Sequence, residues 1–165
     1  MVTAPRTATL GTLLRHLIEL LDGAVEQAYA RSGLSYRPRY TPIMRALLDL
    51  GPASIRAISL RAGITHSAVS QTVSQMVKHG LVRLKRGGDA RERIVVLTRA
   101  AEAMMPALQR QWEATNAAAQ ALDAELSCPL TSLLRETVAA LERQPFAERI
   151  EETAARLQRD NKKAS

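Results

Sequence analysis

The segment from Gly63 to Leu97 constrains the fold of this 165-residue chain more than any other part of it. Thr65 is a candidate helix N-cap, because its hydroxyl can accept a hydrogen bond from a free backbone amide. Apolar residues then recur at helical spacing, and polar residues follow the same spacing on the opposite side until Gly80. The sequence therefore predicts an amphipathic helix over residues 65–79, with a glycine before it and another after it.

The two faces of this helix differ in chemistry. The predicted inward face carries Val69, Val73, Met76 and Val77. The outward face carries hydroxyl, amide and basic groups, at Ser67, Ser70, Gln71, Ser74, Gln75 and Lys78. No acidic residue occurs between Thr65 and His79, so nothing on the helix repels phosphate. A merely solvated surface helix is the alternative interpretation, and the helix taken alone does not exclude it.

A basic hairpin is predicted directly after this helix. Residues 81–86 alternate apolar and basic side chains, residues 87–89 have the composition of a turn, and residues 94–96 form a β-branched run. The basic residues are Lys78, Arg83, Lys85, Arg86, Arg91 and Arg93, opposed by Asp89 and Glu92. A solvated hairpin usually mixes the two signs more evenly, so this region favours a polyanionic partner.

Two shorter helices are predicted upstream. Thr41, as N-cap, and Pro42 predict the start of the first helix, which the Gly-Pro pair at residues 51–52 ends. Ser54 is the predicted cap of the second helix, which ends at Gly63. Helix, glycine-containing turn, helix and basic hairpin follow in the order of a winged helix-turn-helix, whose second helix enters the major groove of DNA.

Long helices are predicted on both sides of this unit. Residues 9–33 carry a stripe of leucine and alanine at helical spacing. Thr98 is the predicted cap of a helix that ends at Pro129, and a last helical region is interrupted at Pro145 and frays from Asp160. The apolar stripe of the first helix is either core or a surface for a second subunit, and its spacing does not distinguish the two.

The composition sets limits on the function. The net charge of +7 favours a nucleic-acid partner, whereas the 3% aromatic content argues against a stacking platform for single strands. The sequence has neither a signal peptide nor an apolar run long enough for a membrane span, so we expect a cytoplasmic protein without a membrane partner. The single cysteine, Cys128, cannot form an internal disulfide, and an inert thiol is favoured over a redox sensor.

Motifs for metal binding and catalysis are absent from the sequence. The histidines His16, His66 and His79 do not have the spacing of a zinc site, and no Cys-x-x-Cys pair occurs. No phosphate-binding glycine loop or Gly-x-Ser-x-Gly nucleophile turn occurs either. We therefore expect no metal, no cofactor and no enzymatic activity, and we interpret His66 as a candidate phosphate contact.

Residues 63–82, with the sequence Gly-Ile-Thr-His-Ser-Ala-Val-Ser-Gln-Thr-Val-Ser-Gln-Met-Val-Lys-His-Gly-Leu-Val, resemble the recognition-helix segment of the MarR family. Asp89-Ala-Arg91, followed by residues 95–98 (Val-Val-Leu-Thr), resembles the wing signature of that family. The likeness covers nearly the whole chain, because the flanking helices agree in number and order. Two features depart from the family pattern. Gln71 stands where many relatives have arginine, and residues 99–102 lack a glycine that commonly follows the Leu-Thr pair, which leaves the geometry of that helix start open.

The resemblance implies a mainly α-helical fold with a small β-wing, in a single unit over residues 1–165. A winged helix-turn-helix DNA-binding lobe is expected over residues 36–98, with dimerisation helices over 7–33 and 99–159. The predicted DNA-binding residues are Thr65, His66, Ser67, Ser70, Gln71, Ser74, Gln75, Lys78, Arg83, Lys85, Arg86, Arg91 and Arg93. Among them, Gln71 and Gln75 are the candidate base readers and Arg91 the wing-tip residue that reaches a minor groove, oriented by an ion pair with Asp89.

The resemblance also implies a homodimer and an effector site. The predicted interface residues are Leu10, Leu13, Leu14, Leu17, Leu134, Leu141, Phe146, Ile150 and Leu157. The candidate effector pocket comprises Tyr36, Tyr40, Met44 and Trp112. The function so implied is a ligand-responsive transcriptional repressor that binds a palindromic double-stranded operator. The alternative is an architectural protein that binds DNA without sequence preference.

Overall fold

The computed structural model describes residues 8–87 and 93–164, with side chains up to residue 162. The chain divides into two structural units, Met1–Thr115 and Asn116–Ser165, and one long helix contributes to both. The elements of the first unit, in chain order, are α1 (Leu10–Arg31), a 3₁₀ helix (Pro38–Tyr40), α2 (Thr41–Leu50), β1 (Ala53–Ser54), α3 (Ile55–Ala62), α4 (His66–Lys78), β2 (Val82–Arg86), β3 (Arg93–Leu97) and the start of α5 (Arg99–Glu125).

Side-chain caps define where several helices begin. The hydroxyls of Ser54 and Thr65 accept hydrogen bonds from the amides of Ala57 and Ala68, both at 3.3 Å, and start α3 and α4 as predicted. The predicted cap at Thr41 is wrong. Because the 3₁₀ helix leads directly into α2, Thr41 is the first helical residue and its hydroxyl caps nothing.

The hairpin predicted from residues 81–97 is present as part of a three-stranded antiparallel sheet with strand order β1-β3-β2. In its register, Val82 lies opposite Leu97 and Arg86 lies opposite Arg93. β1 adds a third strand by pairing Ala53 with Val95. Sequence reasoning missed this strand because two residues are too few to show an alternating pattern.

The core of the first unit is aliphatic with a small aromatic cluster. The buried residues are Tyr29, Leu34, Tyr36, Tyr40, Ile43, Met44, Ala46, Leu47, Ala53, Ile58, Val69, Val73, Met76, Leu81, Val82, Val95, Ala101, Met105, Leu108 and Trp112. All three tyrosines of the chain belong to this core. Val77, predicted to face inward, is instead 39% exposed, because it lies at the edge of the apolar stripe of α4.

The second unit contains the end of α5, α6 (Leu130–Arg143) and α7 (Phe146–Ala164). The amide of Thr131 donates a 3.2 Å hydrogen bond to Oδ1 of Asp123 at the start of α6. Hydrogen bonds from the Thr131 side chain and backbone hold the pKa of the Asp123 carboxyl below its ordinary value. The break predicted at Pro145 is confirmed, whereas α7 continues to Ala164 and does not fray from Asp160.

The structure also bears on membrane spans, metal sites and the single cysteine. None of the helices in the described part of the chain is long and apolar enough to cross a membrane. No group of three or more metal-ligating side chains comes together among residues 8–87 and 93–162. Cys128 is exposed and forms no disulfide.

Candidate nucleic-acid interface

Helix α4 is fixed by its apolar face and by the turn that precedes it. Val69, Val73 and Met76 are buried in the core of the first unit. Gly63 adopts φ 67° at the end of α3, a left-handed conformation that glycine adopts at low cost. The hydroxyl of Ser59 donates a 2.6 Å hydrogen bond to the carbonyl oxygen of Ile64, which closes the turn. The opposite face of α4 is therefore held in one orientation.

The polar face of α4 is accessible along its length. The exposed residues among those predicted to contact DNA on this helix and its cap are Thr65, His66, Ser67, Gln71, Ser74 and Lys78. Ser70 is half-buried, and its carbonyl oxygen accepts a 2.9 Å hydrogen bond from the Ser74 hydroxyl. The face thus presents hydroxyl, amide, imidazole and ammonium groups, which are the groups that contact base edges and phosphates.

The two candidate base readers differ in their placement. Gln71 is exposed, whereas Gln75 is half-buried. Oε1 of Gln75 is buried and has no hydrogen-bond partner within the described part of the chain. A bidentate contact with adenine needs both the oxygen and the nitrogen of the amide. Gln71 is therefore the better placed of the two for reading a base, and Gln75 must change rotamer to do so.

The hairpin after α4 presents a row of basic side chains. Arg83, Lys85, Arg86 and Arg93 are all exposed. Arg86 and Arg93 lie directly opposite each other on β2 and β3, where like charges destabilise the strand pair. A bound phosphate would relieve this repulsion, so the sheet edge is suited to an anionic partner. The predicted wing residues Asp89 and Arg91 lie outside the described residues.

The start of α5 is well defined, although residues 99–102 lack the glycine that commonly follows the Leu-Thr pair in the MarR family. Its first residue is Arg99, and the amide of Ala101 donates a 3.2 Å hydrogen bond to the hydroxyl of Thr98. The predicted cap at Thr98 is therefore confirmed. The Thr98 hydroxyl also donates to the carbonyl oxygen of Gly80, so α5, the hairpin and the end of α4 share one connection.

The four candidate effector residues differ in their placement. Tyr36, Tyr40 and Met44 are buried in the core, whereas Trp112 borders an open cavity of about 480 Å³ between α2, α3 and α5. Its other lining residues are Pro42, Arg45, Ala46, Leu48, Asp49, Arg61, Ala62 and Gln109. Trp112 is therefore the candidate effector residue that lines this cavity.

The charged and polar groups around this cavity, which we call the Trp112 groove, give it a distinct chemistry. The guanidinium carbon of Arg45 lies 4.9 Å from the centroid of the Trp112 ring. Nε1 of Trp112 is buried without a hydrogen-bond partner within the described part of the chain. At the edge, Arg61 and Asp49 form an ion pair. The groove therefore combines a cation, an aromatic wall and an unused N–H donor.

The residues predicted for a subunit interface are mostly exposed on their helices. On α1, Leu10, Leu13 and Leu14 are exposed and Leu17 is half-buried. On α6 and α7, the exposed predicted residues are Leu134, Leu141, Phe146, Ile150 and Leu157. Ile18 and Val138, which were not among the predicted interface residues, are also exposed, at 57% and 55%. The exposed apolar surface of these helices is therefore wider than the predicted set.

Comparison with known proteins agrees with this architecture. Residues 32–92 match the model of the MarR family, and this segment contains the 3₁₀ helix, α2, β1, α3, α4 and β2. The DNA-binding segment of the chain is thus similar to that of the MarR family. No curated protein sequence matches it.

Solved structures of bacterial transcriptional regulators share the fold. The M. tuberculosis transcriptional regulator MOSR, solved in complex with DNA, aligns with a TM-score of 0.62 and 20% identity over 85% of this chain and 98% of that one. The PcaV regulator of Streptomyces coelicolor, solved with its natural ligand, aligns at 0.58 and 19% over 87% and 99%. A probable transcriptional regulator from Pseudomonas aeruginosa aligns at 0.57 and 24% over 81% and 96%. At these identities the likeness establishes the fold alone.

Proposed function

We propose that this chain is a cytoplasmic transcriptional regulator of the MarR family that binds a specific double-stranded DNA sequence through α4 and the basic hairpin. The observation that carries the proposal is the exposed, acid-free polar face of α4 beside the exposed Arg83, Lys85, Arg86 and Arg93. In this arrangement the helix reads base edges in the major groove while the hairpin neutralises phosphates. MOSR, which shares this fold, was solved in complex with DNA, and this supports DNA binding by the present chain by analogy.

The proposal includes a homodimer formed through the terminal helices. Exposed apolar side chains occur along α1, α6 and α7, and Phe146, Ile150 and Leu157 line an open apolar cavity of about 430 Å³ on α7. Apolar patches of this kind usually mark a surface that another protein covers. A two-fold symmetric dimer presents two copies of α4, so its operator is an inverted repeat with half-sites about one helical turn apart.

The proposal also includes regulation by a small molecule at the Trp112 groove. Arg45 and the unused indole N–H of Trp112 favour a ligand that carries a negative charge and a hydrogen-bond acceptor. PcaV was solved with a natural ligand, which supports an effector for the present chain by analogy. A ligand that prefers the conformation with displaced α4 helices lowers operator affinity by the ratio of its affinities for the two states, which is the behaviour of an inducible repressor.

The experiment that tests this function is selection of bound duplexes from a random pool at near-physiological salt. We expect an enriched inverted repeat, bound at least about 10³-fold more tightly than scrambled DNA. Uniform binding of all duplexes, with the same salt dependence for each, would instead assign an architectural role. Absence of binding to any duplex would contradict both.

A further inference from the structure

At the C-cap of α4, a buried tyrosine contacts an exposed histidine. The hydroxyl of Tyr40 and Nδ1 of His79 are 3.1 Å apart and form a hydrogen bond. The two rings also meet edge to face, with centroids 5.8 Å apart. Tyr40 has no exposed surface, whereas His79, at the C-cap of α4, is exposed. One rigid core residue thus holds the end of α4 by two contacts.

Tyr40 is itself fixed by a chain of aromatic contacts. Its ring packs edge to face on Tyr36, at a centroid distance of 5.7 Å, and Tyr36 packs in the same way on Tyr29 of α1 at 5.1 Å. Buried aromatic pairs of this geometry add stability beyond the area that they bury. Tyr40 is the last residue of the 3₁₀ helix that precedes α2. The hydrogen bond from its hydroxyl to His79 therefore connects the segment between α1 and α2 to the C-cap of α4.

The two ends of α4 are held by different contacts. The Thr65 cap and the apolar contacts of Val69 and Val73 fix the first turns of the helix. At the C-terminal end, Met76 is buried in the core, and the Thr98 hydroxyl donates a hydrogen bond to the carbonyl oxygen of Gly80 beyond the helix. The hydrogen bond between Tyr40 and His79 is a further side-chain contact at this C-terminal end of α4.

We infer that Tyr40 is a positioning residue for DNA recognition, which acts through His79 to hold α4 in the orientation that fits the major groove. This inference rests on the proposed function and adds a residue pair outside the predicted DNA contacts. Without the hydrogen bond, α4 occupies the binding-competent orientation for a smaller fraction of the time. The apparent dissociation constant then rises by the inverse of that fraction.

The test is a double-mutant cycle on operator binding, measured by fluorescence anisotropy with a labelled duplex that carries the motif enriched by the wild-type chain. Tyr40→Phe keeps the ring and removes the hydroxyl, and His79→Leu removes the acceptor. We expect each to weaken binding roughly threefold to tenfold, the range for one hydrogen bond, and the double variant to lose no more than either alone. His79→Asn places a hydrogen-bonding atom at the position of Nδ1, so we expect it to bind like the wild type.

Tyr29→Phe is the matched control, because it makes the same chemical change in the same aromatic cluster without a contact to α4. Binding losses that add in the double variant, or wild-type binding by Tyr40→Phe, would overturn the inference. An equal loss in Tyr29→Phe would do the same, since it would show a general effect on the core. If Tyr40→Phe fails to fold, the comparison of His79→Leu with His79→Asn decides alone. Failure of the proposed function would appear in the wild-type chain itself, before any variant is compared.

Discussion

The hydroxyl of Thr98 donates a 2.6 Å hydrogen bond to the carbonyl oxygen of Gly80, eighteen residues earlier in the chain. The oxygen of the Thr98 hydroxyl also accepts a hydrogen bond from the amide of Ala101 in the first turn of α5. The Thr98 side chain therefore joins the chain just after α4, the base of the hairpin and the start of the long helix. The reading helix and the basic strands keep a fixed relative placement because of this junction.

Replacement of Thr98 tests this junction. Thr98→Val retains the shape of the side chain and removes the hydrogen bonds of its hydroxyl with Gly80, Leu81 and Ala101, so we expect it to lower the free energy of unfolding by about 1–2 kcal/mol. Urea unfolding followed by circular dichroism measures the change. Thr98→Ser keeps the hydroxyl and should unfold close to the wild type. Equal stability of the valine variant and the wild type would mean that the junction does not stabilise the fold.

The subunit interface can be tested by a charge placed on its apolar surface. Ile150 is 55% exposed and lines the apolar cavity of α7. We expect Ile150→Glu to shift the chain from dimer to monomer in sedimentation velocity, because a buried unpaired carboxylate costs more than the contact provides. Leu60→Glu is the control, since Leu60 is 77% exposed on α3 and outside the predicted interface. A dimer that survives Ile150→Glu at all concentrations would place the interface elsewhere.

If Gln71 reads a base, its removal should lower sequence discrimination at one position of each half-site. Gln71→Ala removes the amide that can bridge N6 and N7 of an adenine, a contact that contributes about 1–3 kcal/mol of discrimination. We expect this variant to tolerate substitution at one position of each half-site and to keep its preferences elsewhere. A binding profile over all single-base operator variants measures this. An unchanged profile would remove Gln71 from the base-reading residues.

Tyr36 gives a prediction for alkaline pH. Burial raises the pKa of its phenol above the ordinary value of 10.0. The unfolded chain therefore loses this proton at a lower pH than the folded chain, and the contribution of Tyr36 to stability is complete below pH 10 and declines as the pH rises above it. We expect the wild type to lose more stability than Tyr36→Phe across this range in urea titrations. Parallel loss in the two proteins would show that Tyr36 titrates normally.

The regular parts of this fold were predictable because their signals are local. The cap at Thr65, the glycine at residue 63 and the apolar spacing up to Met76 belong to one short segment, and the structure confirms the helix that they predict. The hairpin follows from alternation and β-branching in the same way. Such features depend on neighbours in sequence, which the sequence displays directly.

The parts that sequence reasoning missed depend on distant neighbours. Nothing around Ala53 predicts its pairing with Val95, and nothing around Tyr40 predicts that its hydroxyl reaches His79. The family resemblance implied that Tyr36 and Tyr40 line an effector pocket, but it gave no sign of the burial that three-dimensional packing imposes on both residues. The Trp112 groove was found only in part, because Arg45 and Gln109 carry no motif that identifies them.

The central claim is that α4 selects a DNA sequence rather than binding any duplex. The most direct measurement compares the affinity of the wild-type chain for its enriched duplex and for a scrambled duplex of equal length, over a series of salt concentrations. We predict that the enriched duplex binds at least about 10³-fold more tightly near physiological salt and that the preference persists as salt increases. Equal affinities with identical salt slopes would contradict the claim, because binding would then depend on phosphate charge alone.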